Sequence, residues 1–90
     1  MYRSTISCRG LTDAEGLGGL PDILEEFSHR PWQEEVTCEW REGKLLLSAQ
    51  STDPTGLALL DEFCDAVHAC INYSAEIHFE IEDVKEASRQ

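Results

Sequence analysis

Apolar and polar residues alternate along several short stretches of this chain and recur at helical spacing along two longer ones. From Tyr2 to Arg9, Ile6 and Cys8 fall on one side while Arg3, Thr5, Ser7 and Arg9 fall on the other, the signature of a half-buried strand. A second strand is expected from Trp32 to Arg41. Trp32, Val36, Cys38 and Trp40 form its inner face, and Gln33, Glu35, Thr37, Glu39 and Arg41 its outer face. Glu42-Gly43 reads as a two-residue hairpin turn. Folding the chain there sets Trp40 opposite Leu45, Cys38 opposite Leu47 and Val36 opposite Ala49, while Thr37 meets Ser48 and Glu35 meets Gln50. A slip of one residue would break every match, so the register is well specified. A last strand is read from Ala75, Ile77, Phe79 and Ile81 inward, with Glu76, His78, Glu80 and Glu82 outward.

Two helices lie between these strands. The segment carrying Gly10, Gly16, Gly18 and Gly19 is too rich in glycine for a helix and reads as a loop. The first helix is therefore expected from Leu20 to Arg30. Pro21 suits its first turn, Leu20, Ile23, Leu24 and Phe27 form the apolar stripe, and Pro31 ends it. Asp53-Pro54 opens the second helix, whose stripe is Leu57, Leu60, Phe63, Cys64, Val67, Cys70 and Ile71; Asn72 is a plausible left-handed stop.

Strand, helix, hairpin, helix, strand is a βαββαβ pattern. It predicts an α+β, ferredoxin-like fold: a four-stranded antiparallel sheet in the order 4-1-3-2 with two helices on one face. Ninety residues make one domain, 1–90, with 84–90 as a polar, frayed tail.

Charge changes the picture next. Eighteen acidic against seven basic residues give a formal net charge of −11, which repels nucleic-acid backbones and anionic membranes and favours basic partners. Sheet-based RNA recognition needs aromatic rings on the open face, and here the rings point inward. No apolar run reaches the length of a membrane span, and no apolar stretch follows the first residues, so a cytoplasmic protein is expected. Cys8, Cys38, Cys64 and Cys70 match no metal or redox spacing and read as free thiols. Cys64 and His68, four apart on a helix, are two ligands where zinc needs three or four.

No constellation names a reaction, a metal or a cofactor. By elimination the pattern points to a non-enzymatic interaction or regulatory module that binds a protein partner, a basic one for electrostatic fit. The contact would use the open sheet face or the edge strand, through Glu35, Glu39, Glu76, His78, Glu80 and Glu82. The same edge strand could pair with itself in a homodimer. The alternative is a small-molecule-sensing domain or minor enzyme using the Gly10–Gly19 loop, with Gly10, Asp13, Glu15, Gly16, Gly18 and Gly19 as ligand-loop residues.

Overall fold

The computed structural model describes residues 1–87. Its elements are β1 (Tyr2–Arg9), α1 (Asp13–Ser28), β2 (Glu34–Arg41), β3 (Lys44–Ser51), α2 (Leu57–Cys70) and β4 (His78–Glu86). The strands form one antiparallel sheet in the order β2-β3-β1-β4, the expected 4-1-3-2 read from the other edge. The fold is ferredoxin-like.

Alternation builds the sheet as expected. Ile6 and Cys8 of β1 and Leu45, Leu47 and Ala49 of β3 are buried on the face that meets Ile23 and Phe27 of α1 and Leu59, Phe63 and Val67 of α2. Burying each large apolar side chain contributes about 1.5–3 kcal/mol. At the hairpin, Glu42 and Gly43 both take positive φ (52° and 75°), the geometry that matches strand twist in a two-residue turn. Trp40 pairs with Leu45, Cys38 with Leu47 and Thr37 with Ser48. Beyond Thr37 the register shifts, so Glu34 rather than Glu35 meets Gln50, and Glu35 sits in the irregularity with φ 49°.

Four expected boundaries move. The expected strand start at Trp32 is a turn instead: the Gln33 amide donates to the Arg30 carbonyl (2.9 Å). This exchanges the two side chains. Trp32 is 57% exposed, while Gln33 is buried at 5%. Glu62 of α2 holds both, accepting from Trp32 Nε1 (2.7 Å) and Gln33 Nε2 (2.8 Å), and it also pairs with Arg30 (3.1 Å). One carboxylate thus ties the end of α1 and the entry of β2 to α2. At the second helix, Asp53 caps from a distance. Its carboxylate accepts from the Thr55 and Ala58 amides (both 2.9 Å), and the helix begins only at Leu57 after the left-handed Gly56. Its buried stripe accordingly gains Leu59 and Ala66, and Leu57 is exposed. The last strand starts at His78 rather than Ala75 and runs on through Val84, Lys85 and Glu86, which pair with β1 where a polar tail was expected. Residues 88–90 of that expected tail lie outside the described residues.

The largest departure is α1. It begins at Asp13, seven residues before the expected Leu20, so most of the expected loop is helix. Thr12 and Glu15 form a capping box: the Glu15 amide donates to Thr12 Oγ1 (3.1 Å) and the Thr12 amide to Glu15 Oε1 (2.9 Å). Two of the glycines are packing positions. A Cβ on Gly16 would lie 2.2 Å from the Trp40 ring, and one on Gly19 would lie 2.5 Å from the Ile71 side chain. Close helix–sheet approach offsets the roughly 1 kcal/mol that each interior glycine costs. Pro21 consequently lies inside the helix, exposed, rather than at its first turn.

Gly16 and Gly18 therefore respond oppositely to the same substitution. Gly16→Ala drives a methyl into a ring that has no slack and should cost about 1–3 kcal/mol. Gly18, with nothing within 4 Å of a Cβ, should gain about 0.5–1 kcal/mol as alanine. Urea denaturation of the two variants beside the parent chain measures both signs.

Candidate functional site

Between helix α1 and the end of α2 lies an open crevice of about 190 Å³. Ala14, Glu15, Gly18, Gly19 and Asp22 line it from α1; Cys70 from α2 and Ile71 and Asn72 just beyond it line the other side. Helical spacing explains the first set, since positions 14, 15, 18, 19 and 22 share one face. The absence of side chains at Gly18 and Gly19 keeps that wall low. The crevice has room for roughly six water molecules or a ligand of that bulk.

Hydrogen bonds fix the two walls to each other. While one oxygen of Glu15 caps α1, the other accepts from the Ser74 amide and the Ser74 hydroxyl (both 3.0 Å). Across the crevice Cys70 Sγ lies 4.0 Å from the Asp22 carbonyl. The lining holds two carboxylates, a carboxamide and a thiol, and no lysine or arginine. It is built to accept hydrogen bonds and repel anions.

The Thr12 amide and then the Ser74 donors hold the Glu15 carboxyl below its ordinary pKa, outweighing the opposing effect of burial. Burial pushes the Cys70 thiol up, helped by the negative Glu26 and Asp22. Burial also raises the Cys8 and Cys38 thiols to about 12; Cys8 is fully buried in the core and Cys38 packs against it, partly buried. All four cysteines are free. His68 Nδ1 lies 2.7 Å from the Cys64 carbonyl, so that pair forms a helix-internal contact. Among the described residues no three His, Cys, Asp or Glu side chains converge as a metal site.

Of the six residues expected in a ligand loop, Glu15, Gly18 and Gly19 line the crevice from the helix. Asp13 instead accepts from Trp40 Nε1 (3.0 Å), Gly16 is covered by the Trp40 ring, and Gly10 packs against the Glu76–Ile77 backbone. Sequence reasoning missed Asp22, Cys70, Ile71 and Asn72. The Thr12-x-x-Glu15 capping box was the available signal for the helix that aligns them.

Of the residues expected to bind a partner, Glu35, Glu39, Glu80 and Glu82 have partners within the sheet. Arg9 pairs with Glu80 (3.0 Å), Arg41 with Glu39 (3.8 Å), and Lys85 with Asp83 (3.4 Å). Glu82 takes a hydrogen bond from buried Ser7 (2.6 Å) and pairs with Lys44 (3.8 Å). Glu35 accepts from Gln50 (2.7 Å), and its carbonyl accepts from Arg3 (3.2 Å). His78 stands opposite Arg9, and Glu76 lies before β4, in the connection from α2. Five of the seven lysines and arginines occupy the uncovered face, which is a charge mosaic and not an acidic plane.

No protein-family model and no curated protein matches the chain. Among solved structures it is similar to one from Chloroflexus aurantiacus J-10-fl described as a "putative Antibiotic biosynthesis monooxygenase". The likeness covers 92% of this chain and 94% of that one, with a TM-score of 0.51 and 13% identity. At that identity the likeness is one of fold. It corrects the expectation of a non-enzymatic module that binds a protein partner through its open face or edge strand. The comparable structure is described as an enzyme, and the open face is neutralised by its own ion pairs. Of the residues named for the alternative reading, Glu15, Gly18 and Gly19 line the crevice from the face of a helix and not from a loop.

Of the shifted groups lining the crevice, Glu15 sets the pH response. Its folded-state pKa lies below the unfolded value, so the stability it contributes is present above the unfolded carboxylate range and is lost as pH falls through the folded pKa. Acid titration followed by circular dichroism should show Glu15→Gln less stable than the parent chain at pH 7, the difference shrinking as pH falls through the folded pKa. A difference that grew on acidification would reverse this assignment.

Proposed function

We propose that the chain is a small-molecule-binding domain, of ligand-sensing or enzymatic kind, whose ligand occupies the crevice between α1 and the end of α2. The observation that carries this reading is the lining: acceptor groups from Glu15, Asp22 and Asn72 converge around about 190 Å³ that no side chain fills. A few placed polar groups in a concavity are what fixes a small ligand's orientation. The volume is below the usual range for drug-sized ligands, so the ligand is of fragment size or enters in part. The ligand is a hydrogen-bond donor, neutral or cationic, because every charged group in the lining is negative. Similarity of fold to a protein described as a monooxygenase supports a small-molecule role over a macromolecular one. Four free cysteines suit a reducing compartment such as the cytoplasm.

Gly18 supplies the test. Its Cβ position opens to empty space at the crevice, so Gly18→Leu fills the site while leaving the core intact. A thermal-shift screen of small amines, amides and phenols at millimolar concentration should raise the melting temperature by about 1–3 °C for the members that bind. Gly18→Leu should abolish that rise. No shift across the panel, or an equal shift in the variant, would refute the crevice as the site.

A further inference from the structure

We infer that the segment Asn72–Ala75 is a latch over the crevice, with Glu15 as its catch; the inference rests on the crevice being the ligand site. The connection between α2 and β4 is pinned at both ends. Ile71 is buried against Gly19, and the Glu76–Ile77 backbone lies so close to Gly10 that a Cβ there would sit 2.3 Å from the Glu76 carbonyl. Between these anchors Asn72, Tyr73, Ser74 and Ala75 are all exposed and belong to no helix or strand. Two contacts hold this middle part. Ser74 gives its amide and hydroxyl hydrogens to one Glu15 oxygen, and the Tyr73 ring meets His68 edge-on at 5.6 Å.

Fixed ends and a releasable middle define a strap. Its packing is slight and its hydrogen bonds face solvent, the features of a segment that opens locally without global unfolding. Asn72 and Glu15 both line the crevice, so the strap and its catch border it. Glu15 does two separate jobs with two oxygens. Oε1 caps α1, and Oε2 holds the strap. Opening the strap therefore leaves the helix cap in place. A ligand with N–H donors competes with Ser74 for Oε2, so ligand entry and strap release are coupled at one atom.

Cys70, on the crevice wall and two residues before the strap, is the reporter for the latch, and fully buried Cys8 is the clock for global unfolding in the same molecule. The experiment follows modification of each cysteine by a bulky pyrene maleimide at pH 7, read by peptide mass spectrometry, without any ligand. Ser74→Ala removes one of the two donors on the catch. It should speed Cys70 modification roughly fivefold, the factor for one hydrogen bond fewer in a local opening, while Cys8 keeps its rate. Thr12→Ala weakens the helix cap and leaves the Glu15–Ser74 contacts, and it should leave Cys70 unchanged. The latch is overturned by an unchanged Cys70 rate in Ser74→Ala, by an increase shared with Cys8, or by an equal increase in Thr12→Ala. Because no ligand is present, failure here is separate from failure of the ligand screen.

Discussion

Trp40 projects from the inner face of β2, and its ring occupies the space where Gly16 of α1 would otherwise carry a Cβ. Its indole nitrogen donates to Asp13 in the first turn of the same helix, so one side chain sets both the closeness and the rotation of α1. The rest of the site follows from that placement. With the first turn held at β2, Glu15 comes within reach of Ser74, and Gly18, Gly19 and Asp22 come to face the end of α2. A helix standing off by one methyl would lose both the crevice and the strap across it. Close packing makes such displacements costly, since interiors do not deform continuously.

Charge is sorted between the two sides of the sheet. The uncovered face carries Arg3, Arg9, Arg41, Lys44 and Lys85 beside its carboxylates, each exposed pair contributing at most about 1 kcal/mol. The helices carry Asp13, Glu15, Asp22, Glu25 and Glu26 on α1 and Asp61, Glu62 and Asp65 on α2, with Arg30 as the nearby cation. The helical side of the molecule therefore carries an excess of negative charge and a negative field. Such a field draws cations and donors toward that side and holds anions away. Alternation suggested a mostly acidic open face, and the basic residues paired with its carboxylates make it a mosaic.

The architecture was legible because alternation leaves one answer. Each strand has one apolar face, so the helices must share a side, and the Trp40–Leu45 and Cys38–Leu47 pairs follow from the turn at Glu42-Gly43. The first half of α1 was not legible, for a physical reason. Glycine lowers local helix propensity, and what compensates is contact with Trp40, which is 24 residues downstream of Gly16, and with Ile71, which is 52 downstream of Gly19. Local reasoning saw the penalty and not the partner. Trp32 and Gln33 changed places for a similar reason, since the Glu62 carboxylate that receives both lies on α2. Half of the crevice was legible as Glu15, Gly18 and Gly19; the half built from Cys70, Ile71 and Asn72 depends on how α2 ends against α1.

The account stands on α1 being helical across its glycines with Trp40 seated on Gly16, and proton NMR measures this directly. The Gly16 amide donates to the Thr12 carbonyl at 2.9 Å, so it should exchange slowly. Its Hα protons should be shifted strongly upfield by the indole ring and show nuclear Overhauser contacts to it. Fast exchange from Gly16 to Gly19, with Gly16 protons at their ordinary shifts, would mean that this segment is the loop its composition suggested and that the crevice does not exist.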